Sequence, residues 1–144
     1  MEQEKTLQLL QACSAGIKTA VNSIEAVQPL VQDDACAEIL EDYLDRHEVL
    51  GDAVHAELSR LGVRPREPKA MARLMAGGKI RMKYAMHPAD ATIADLMSDG
   101  CAMGVRTLGR DCNRAAGASG RAMELAQQVM VTECEMMARM SPYL

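Results

Sequence analysis

The apolar positions of this chain recur at alternating steps of three and four residues, which is the period of one face of a helix. Leu7, Leu10, Ile17, Val21 and Ile24, with Ser14 and Gln28 completing the row, predict a first helix over residues 5–28. Pro29 lacks the N–H that would continue it. Cys36, Leu40, Tyr43, His47, Leu50, Val54 and Leu61 predict a second helix over 34–61. Asp33 or Asp34 can cap its start, and Gly62 can take the left-handed conformation that closes its end. These two helices form an antiparallel hairpin.

The pattern then changes. From Val63 to Pro88 the prolines Pro65 and Pro68 interrupt it, Met71, Leu74 and Met75 supply one apolar turn, and Gly77-Gly78 loosens the chain before Ile80. This stretch, 62–89, reads as a crossover containing short helical pieces and ending at His87-Pro88. Asp90 or Thr92 can cap a third long helix over 90–116, carrying Ile93, Met97, Gly100, Gly104, Thr107 and Leu108. After a tight turn at Gly117-Ala118-Ser119-Gly120, a fourth helix over 119–140 shows Met123, Ala126, Met130, Cys134 and Met137 on one face. A helix of about 25 residues is ~37 Å long, and a partly extended crossover of about 26 residues can travel that distance. The expected fold is therefore all-α: a single domain over 1–144, a four-helix bundle of two hairpins joined by one long crossover. Its second and third long helices run parallel, the ferritin-like arrangement as opposed to simple up-down-up-down. Gly16, Gly100 and Gly104 are expected to let helix backbones approach closely.

Composition narrows the function. At 144 residues and 49% apolar the chain is one ordinary core, but it holds 12 Met and no Phe or Trp. It offers little aromatic surface for stacking bases, so no specific nucleic-acid partner is expected. The methionines fall in the crossover and the second hairpin, and the first hairpin has none after Met1. That first hairpin is expected to be the rigid half, and the Met-rich one to hold adjustable packing, a cavity or a subunit contact. The five cysteines form no Cys-x-x-Cys pair, which supports neither a disulfide scaffold nor a zinc ribbon. With no secretory leader pattern and no run of ~18 apolar residues, the chain reads as cytoplasmic with reduced thiols and no transmembrane segment.

Charge is unevenly placed. Residues 1–62 carry four basic and 12 acidic side chains, whereas 63–88 carry seven basic ones (Arg64, Arg66, Lys69, Arg73, Lys79, Arg81, Lys83) against Glu67. The basic segment is expected to lie across acidic helices of its own fold or of a second copy; the alternative is a docking strip for an anionic partner.

The run Lys79-Ile80-Arg81-Met82-Lys83, followed by Asp90-Ala91-Thr92-Ile93-Ala94-Asp95-Leu96-Met97-Ser98-Asp99-Gly100-Cys101-Ala102-Met103-Gly104-Val105, resembles a group of uncharacterised bacterial ferritin-like proteins. The resemblance implies the fold and a bacterial cytosolic origin, and brings no substrate. Di-iron members of the wider ferritin-like class place a Glu on two helices and Glu-x-x-His on the other two. No Glu-x-x-His occurs here: Leu44 precedes His47 by three residues, and Met136 follows Glu133 at that distance.

Two histidines remain to be placed. Asp52 and His55 are the one acidic-x-x-His pair, yet on a helical wheel they lie about 140° and 80° from His47, in line with Glu41 and Asp45 on a solvated face. His47 is in the middle of the buried stripe. It is read as a hydrogen-bonded core histidine with Ser14 or Thr107 as partner, with a ligand or proton-handling role involving Glu25 or Glu133 as the alternative. The cysteines and methionines read as core filler, and Gly77-Gly78-Lys79 lacks the spacing of a phosphate loop. The expectation is a non-enzymatic structural or interaction protein that self-associates, as a dimer, with no cofactor. One alternative is a metal-binding or oxidase-type bundle holding iron or manganese at a site drawn from His47, Glu25, Asp52, His55 and Glu133. A second is a small-molecule binder with a cavity beside Gly100 and Gly104.

Overall fold

Local chemistry sets where each helix starts and stops. In the structure, a computed structural model that describes the backbone of residues 1–65 and 70–144 and the side chains of 1–65 and 77–144, the described residues form five α-helices and no strand. Helix α1 (Glu2–Val27) gives way to a 3₁₀ turn, Gln28–Leu30, at Pro29. Helix α2 (Asp34–Arg60) is capped by Asp33, whose Oδ1 accepts from the Cys36 N–H at 2.9 Å. It ends in a Schellman motif: Gly62 sits at φ +74° and the Val63 N–H reaches the Leu58 carbonyl at 2.9 Å.

Among the described residues the crossover holds one helix of 17 residues, α3 (Ala70–Met86), where one or two short pieces were expected. It runs straight through Gly77-Gly78. Two glycines in a helix cost about 2 kcal/mol, and docking offsets that cost: Ile80 is buried among Ile24, Val27 and Ile93, and the Tyr84 hydroxyl donates to the Leu30 carbonyl at 3.3 Å. Pro68, Arg66, Lys69 and the side chains of Met71, Arg73, Leu74 and Met75 lie outside the described residues.

Helix α4 (Asp90–Arg114) is not capped by Asp90 or Thr92 as expected; its N-cap is Ala89. Asp90 reaches across instead, its two carboxylate oxygens accepting the N–H groups of Gln32 and Asp33 at 2.9 and 2.8 Å. Thr92 donates to the His87 carbonyl. Helix α5 (Gly120–Met140) is capped by Ser119, and a 3₁₀ turn, Ser141–Tyr143, comes after it.

These contacts also fix direction. Lys5 at the start of α1 donates to Ala116 at the end of α4, and Thr6 accepts from the N–H of Ser119 before α5, so α1 runs against α4 and along α5. Asp90 joins the start of α4 to the start of α2, which makes those two parallel. Helices α1, α2, α5 and α4 pack in that cyclic order, each antiparallel to its neighbours. Helices α1 and α5 also meet across the short diagonal, leaving α2 and α4 at the outer corners, and α3 lies against α1 and α4.

The buried side chains form two clusters stacked along the bundle. One, at the end where α2 and α4 begin, includes Ile24, Leu40, Tyr43, Ile93, Met97 and Met140. The other, where α1 and α5 begin, includes Leu9, Leu10, Val54, Leu58, Leu125 and Val129. No helix among the described residues is long and apolar enough to cross a membrane.

Candidate functional site

Between the two apolar clusters lies a polar pair. His47 on α2 is fully buried and Glu133 on α5 nearly so, at 0% and 6% exposure. The His47 Nε2 lies 2.6 Å from the Glu133 Oε1, and its Nδ1 lies 2.6 Å from the Tyr43 carbonyl one helical turn back. Both ring nitrogens face oxygen acceptors, an arrangement that suits the imidazolium, which donates from both. Burial pulls the His47 pKa down, but the hydrogen bond to Glu133, that carboxylate's charge and the Tyr43 carbonyl together raise it above the ordinary histidine value.

The other half of the Glu133 carboxylate turns toward α4. A Cβ added at Gly104 would stand 3.6 Å from the Glu133 Oε2, an ordinary contact, so the carboxylate lies close beside the α4 backbone there. Cys101, one turn earlier, is also buried; burial first, then the charge of Glu133 and a hydrogen bond to it, push its thiol well above the ordinary range. Cys13 is pushed up to about 12, mainly by burial, so these inward thiols carry no nucleophilic thiolate near neutrality.

The expected partners of His47 must be corrected. Thr107 is exposed, and Ser14 is buried with its hydroxyl unpartnered. The helix register explains this: Gly51 of α2 faces Ile17 of α1, with its Cβ position 3.4 Å from the Ile17 Cγ2. Counting back from that contact puts His47 opposite about residue 21, roughly 10 Å along α1 from Ser14. Of the candidate ligands, Glu133 alone joins His47; Glu25 and Asp52 are exposed and His55 is half-buried on the outer side of α2.

The inward face of α5 is rotated by about 90° from the expected one, with Ala126 common to both and Met123, Met130 and Met137 at its edge. The buried row is Ala122, Leu125, Ala126, Val129, Glu133, Met136 and Met140, while Met123, Met130 and Met137 are half-buried and Cys134 is exposed. Both rows have helical spacing, and the winning row contains a carboxylate. The signal was present: a lone charge within an apolar row calls for a buried counter-charge, and His47 was the basic group already assigned to the core. The residues missed were Cys101 and the role of Gly104. A Cβ at Gly16 or Gly100 would meet nothing within 4 Å, so these glycines permit no close helix approach, and the cavity expected at Gly104 is filled by Glu133.

A separate groove of about 460 Å³ lies between α1 and α4 and is lined by Leu7, Gln8, Gln11, Ala12, Asp111 and Arg114 among others. Among the described residues no group of three or more His, Cys, Asp or Glu is placed to hold a metal ion. No family model, no curated protein and no solved structure matches the chain.

Proposed function

We propose that this chain is a ferritin-like bundle whose centre is closed by a buried ion pair between two of its own helices, and that it acts as a non-enzymatic structural or interaction protein that self-associates. The observation that carries this reading is the His47–Glu133 pair: each imidazole nitrogen is spent on a protein oxygen, one carboxylate oxygen of Glu133 is spent on His47, and the other lies beside α4 at Gly104. The parallel course of α2 and α4 across a long crossover supports the ferritin-like assignment. In that class a metal centre occupies the same mid-bundle position, and here the Glu-x-x-His pairs that would supply it are missing from the sequence.

The test is metal analysis of protein purified without chelator, followed by titration with ferrous iron. The expected result is less than one equivalent retained by wild type. Stoichiometric iron or manganese retained by wild type and lost in His47→Ala overturns the reading.

One observation favours a metal-binding reading as the second choice. With Nδ1 held by a backbone carbonyl, the His47 Nε2 is aimed at the bundle centre in the orientation metal-ligating histidines adopt. Glu133 and Cys101 would be its companions, and the same titration decides between the two.

A further inference from the structure

The reading of a self-associating protein leaves open which surface does it, and two unpartnered stripes answer each other. On α2, Glu38, Glu41, Asp45, Glu48 and Asp52 recur at steps of three and four residues, and all five are exposed. By helical geometry they lie within about 80° of one another, on the side facing away from His47. Val49, 67% exposed, sits among them. Among the described residues none of the five takes part in an ion pair, since the α2 pairs use Asp42 with Arg46 and Glu57 with Arg60.

On α3, Lys79, Met82, Lys83 and Met86 stand at i, i+3, i+4 and i+7; Lys79, Met82 and Met86 are exposed and lie about 100–160° around the helix from the buried Ile80, and Lys83, half-buried, lies on the near edge of the stripe about 60° from it. Met82 and Met86 are 63% and 68% exposed. Neither Lys79, Arg81 nor Lys83 pairs with a carboxylate among the described residues. The bundle keeps the two stripes apart, because α3 packs on α1 and α4 while the acidic stripe faces outward from α2.

The geometry points to a contact between copies: the Lys79/Met82/Lys83/Met86 stripe of α3 packs lengthwise on the Glu38/Glu41/Asp45/Glu48/Asp52 stripe of α2 in a second copy of this chain. Opposite charges at one helical period set partner choice and register. The flexible methionines and the lysine stems supply apolar contact around Val49. A second copy fits better than a nucleic acid, which the net charge of −4 and the five exposed carboxylates would repel. The proposal rests on the self-association reading above and specifies its surface.

Sedimentation of the full chain, over a range of concentrations and salt, tests it with two variants: Lys79→Glu with Lys83→Glu, and Glu41→Lys with Asp45→Lys and Glu48→Lys. Wild type is expected to sediment above the monomer mass, less so at high salt. Each variant alone should weaken association roughly tenfold or more while keeping its helical circular dichroism, and mixing the two should restore it, because every acidic stripe then meets a basic one. A restored mass of two protomers means a reciprocal pair, a larger one a head-to-tail array; either supports the contact. Variants that associate as wild type does overturn this surface while leaving self-association itself standing. A monomeric wild type overturns both, and if that monomer binds heparin through Lys79 and Lys83 the stripe serves a polyanion. The iron titration is independent of all these outcomes.

Discussion

The two ends of the core are built from different materials. Among the described residues, the fully buried large side chains where α1 and α5 begin are Leu9, Leu10, Leu58 and Leu125, with Val54 beside them, and no described methionine is fully buried there. Where α2 and α4 begin, Met97, Met136 and Met140 are buried with Tyr43, Cys36 and Cys101, and α3 contributes Ile80. The sequence had suggested a division by hairpin, with a rigid first and an adjustable second. The packed structure divides the core by level, because antiparallel helices bring the Met-bearing start of α4 and end of α5 to one end of the bundle. Leucine packs in few rotamers, whereas methionine fills irregular space by turning about three bonds. The leucine-rich end should thus be the more demanding of shape, the methionine-rich end the more forgiving, and the His47–Glu133 pair joins them.

The largest effect is expected at that joint. His47→Ala strands the Glu133 carboxylate and should cost about 3–5 kcal/mol, read from urea unfolding. Replacing both partners, His47→Leu with Glu133→Leu, should recover most of that loss, since an apolar pair of similar volume serves as well as a buried ion pair. A double variant as unstable as the single one would mean that the pair does more than neutralise itself.

Next comes the contrast between the ends. Leu125→Ala in the leucine-rich cluster should cost about 2–5 kcal/mol through lost burial and the cavity left behind. Met140→Leu in the methionine-rich one should cost less than about 1.5 kcal/mol, as a swap that conserves volume. Equal sensitivity to Met140→Leu and to a like-sized swap, Leu125→Met, would erase the distinction.

The pair also imposes a pH dependence. Because the folded His47 pKa is raised, the pair's stabilisation is fully present below the unfolded value of about 6.5 and is lost as pH rises through the raised folded value. Urea midpoints should fall in wild type as pH rises between those two values, and this component of the slope should vanish in the double leucine variant. The smallest effect is at Gly104→Ala: the new methyl would meet Glu133 at ordinary contact distance, 3.6 Å, so the gain in helix propensity should stabilise the protein by up to about 1 kcal/mol. A loss would show that the carboxylate needs the whole notch.

Much of the fold could be read from the residues alone, because helix boundaries are local events. Pro29, the Asp33 cap, the Gly62 closure and the turn at Gly117 each act within a few residues, and the four long helices fall within a few positions of where periodicity put them. The fate of Gly77-Gly78 was not local: the helix continues because Ile80 and Tyr84 find partners on other elements. Asp90 likewise had a local use as a helix cap, and the neighbouring start of α2 claimed it instead. His47 was legible as a buried base, since its own helix places it in mid-stripe. Its partner was legible only as one of several, Glu133 standing as an alternative beside Ser14, Thr107 and Glu25, because the choice between two equally periodic faces of α5 is made by what stands opposite each of them. Only the register between helices puts Glu133 within 2.6 Å of that imidazole and leaves Ser14 alone, and register is a property of the assembled bundle.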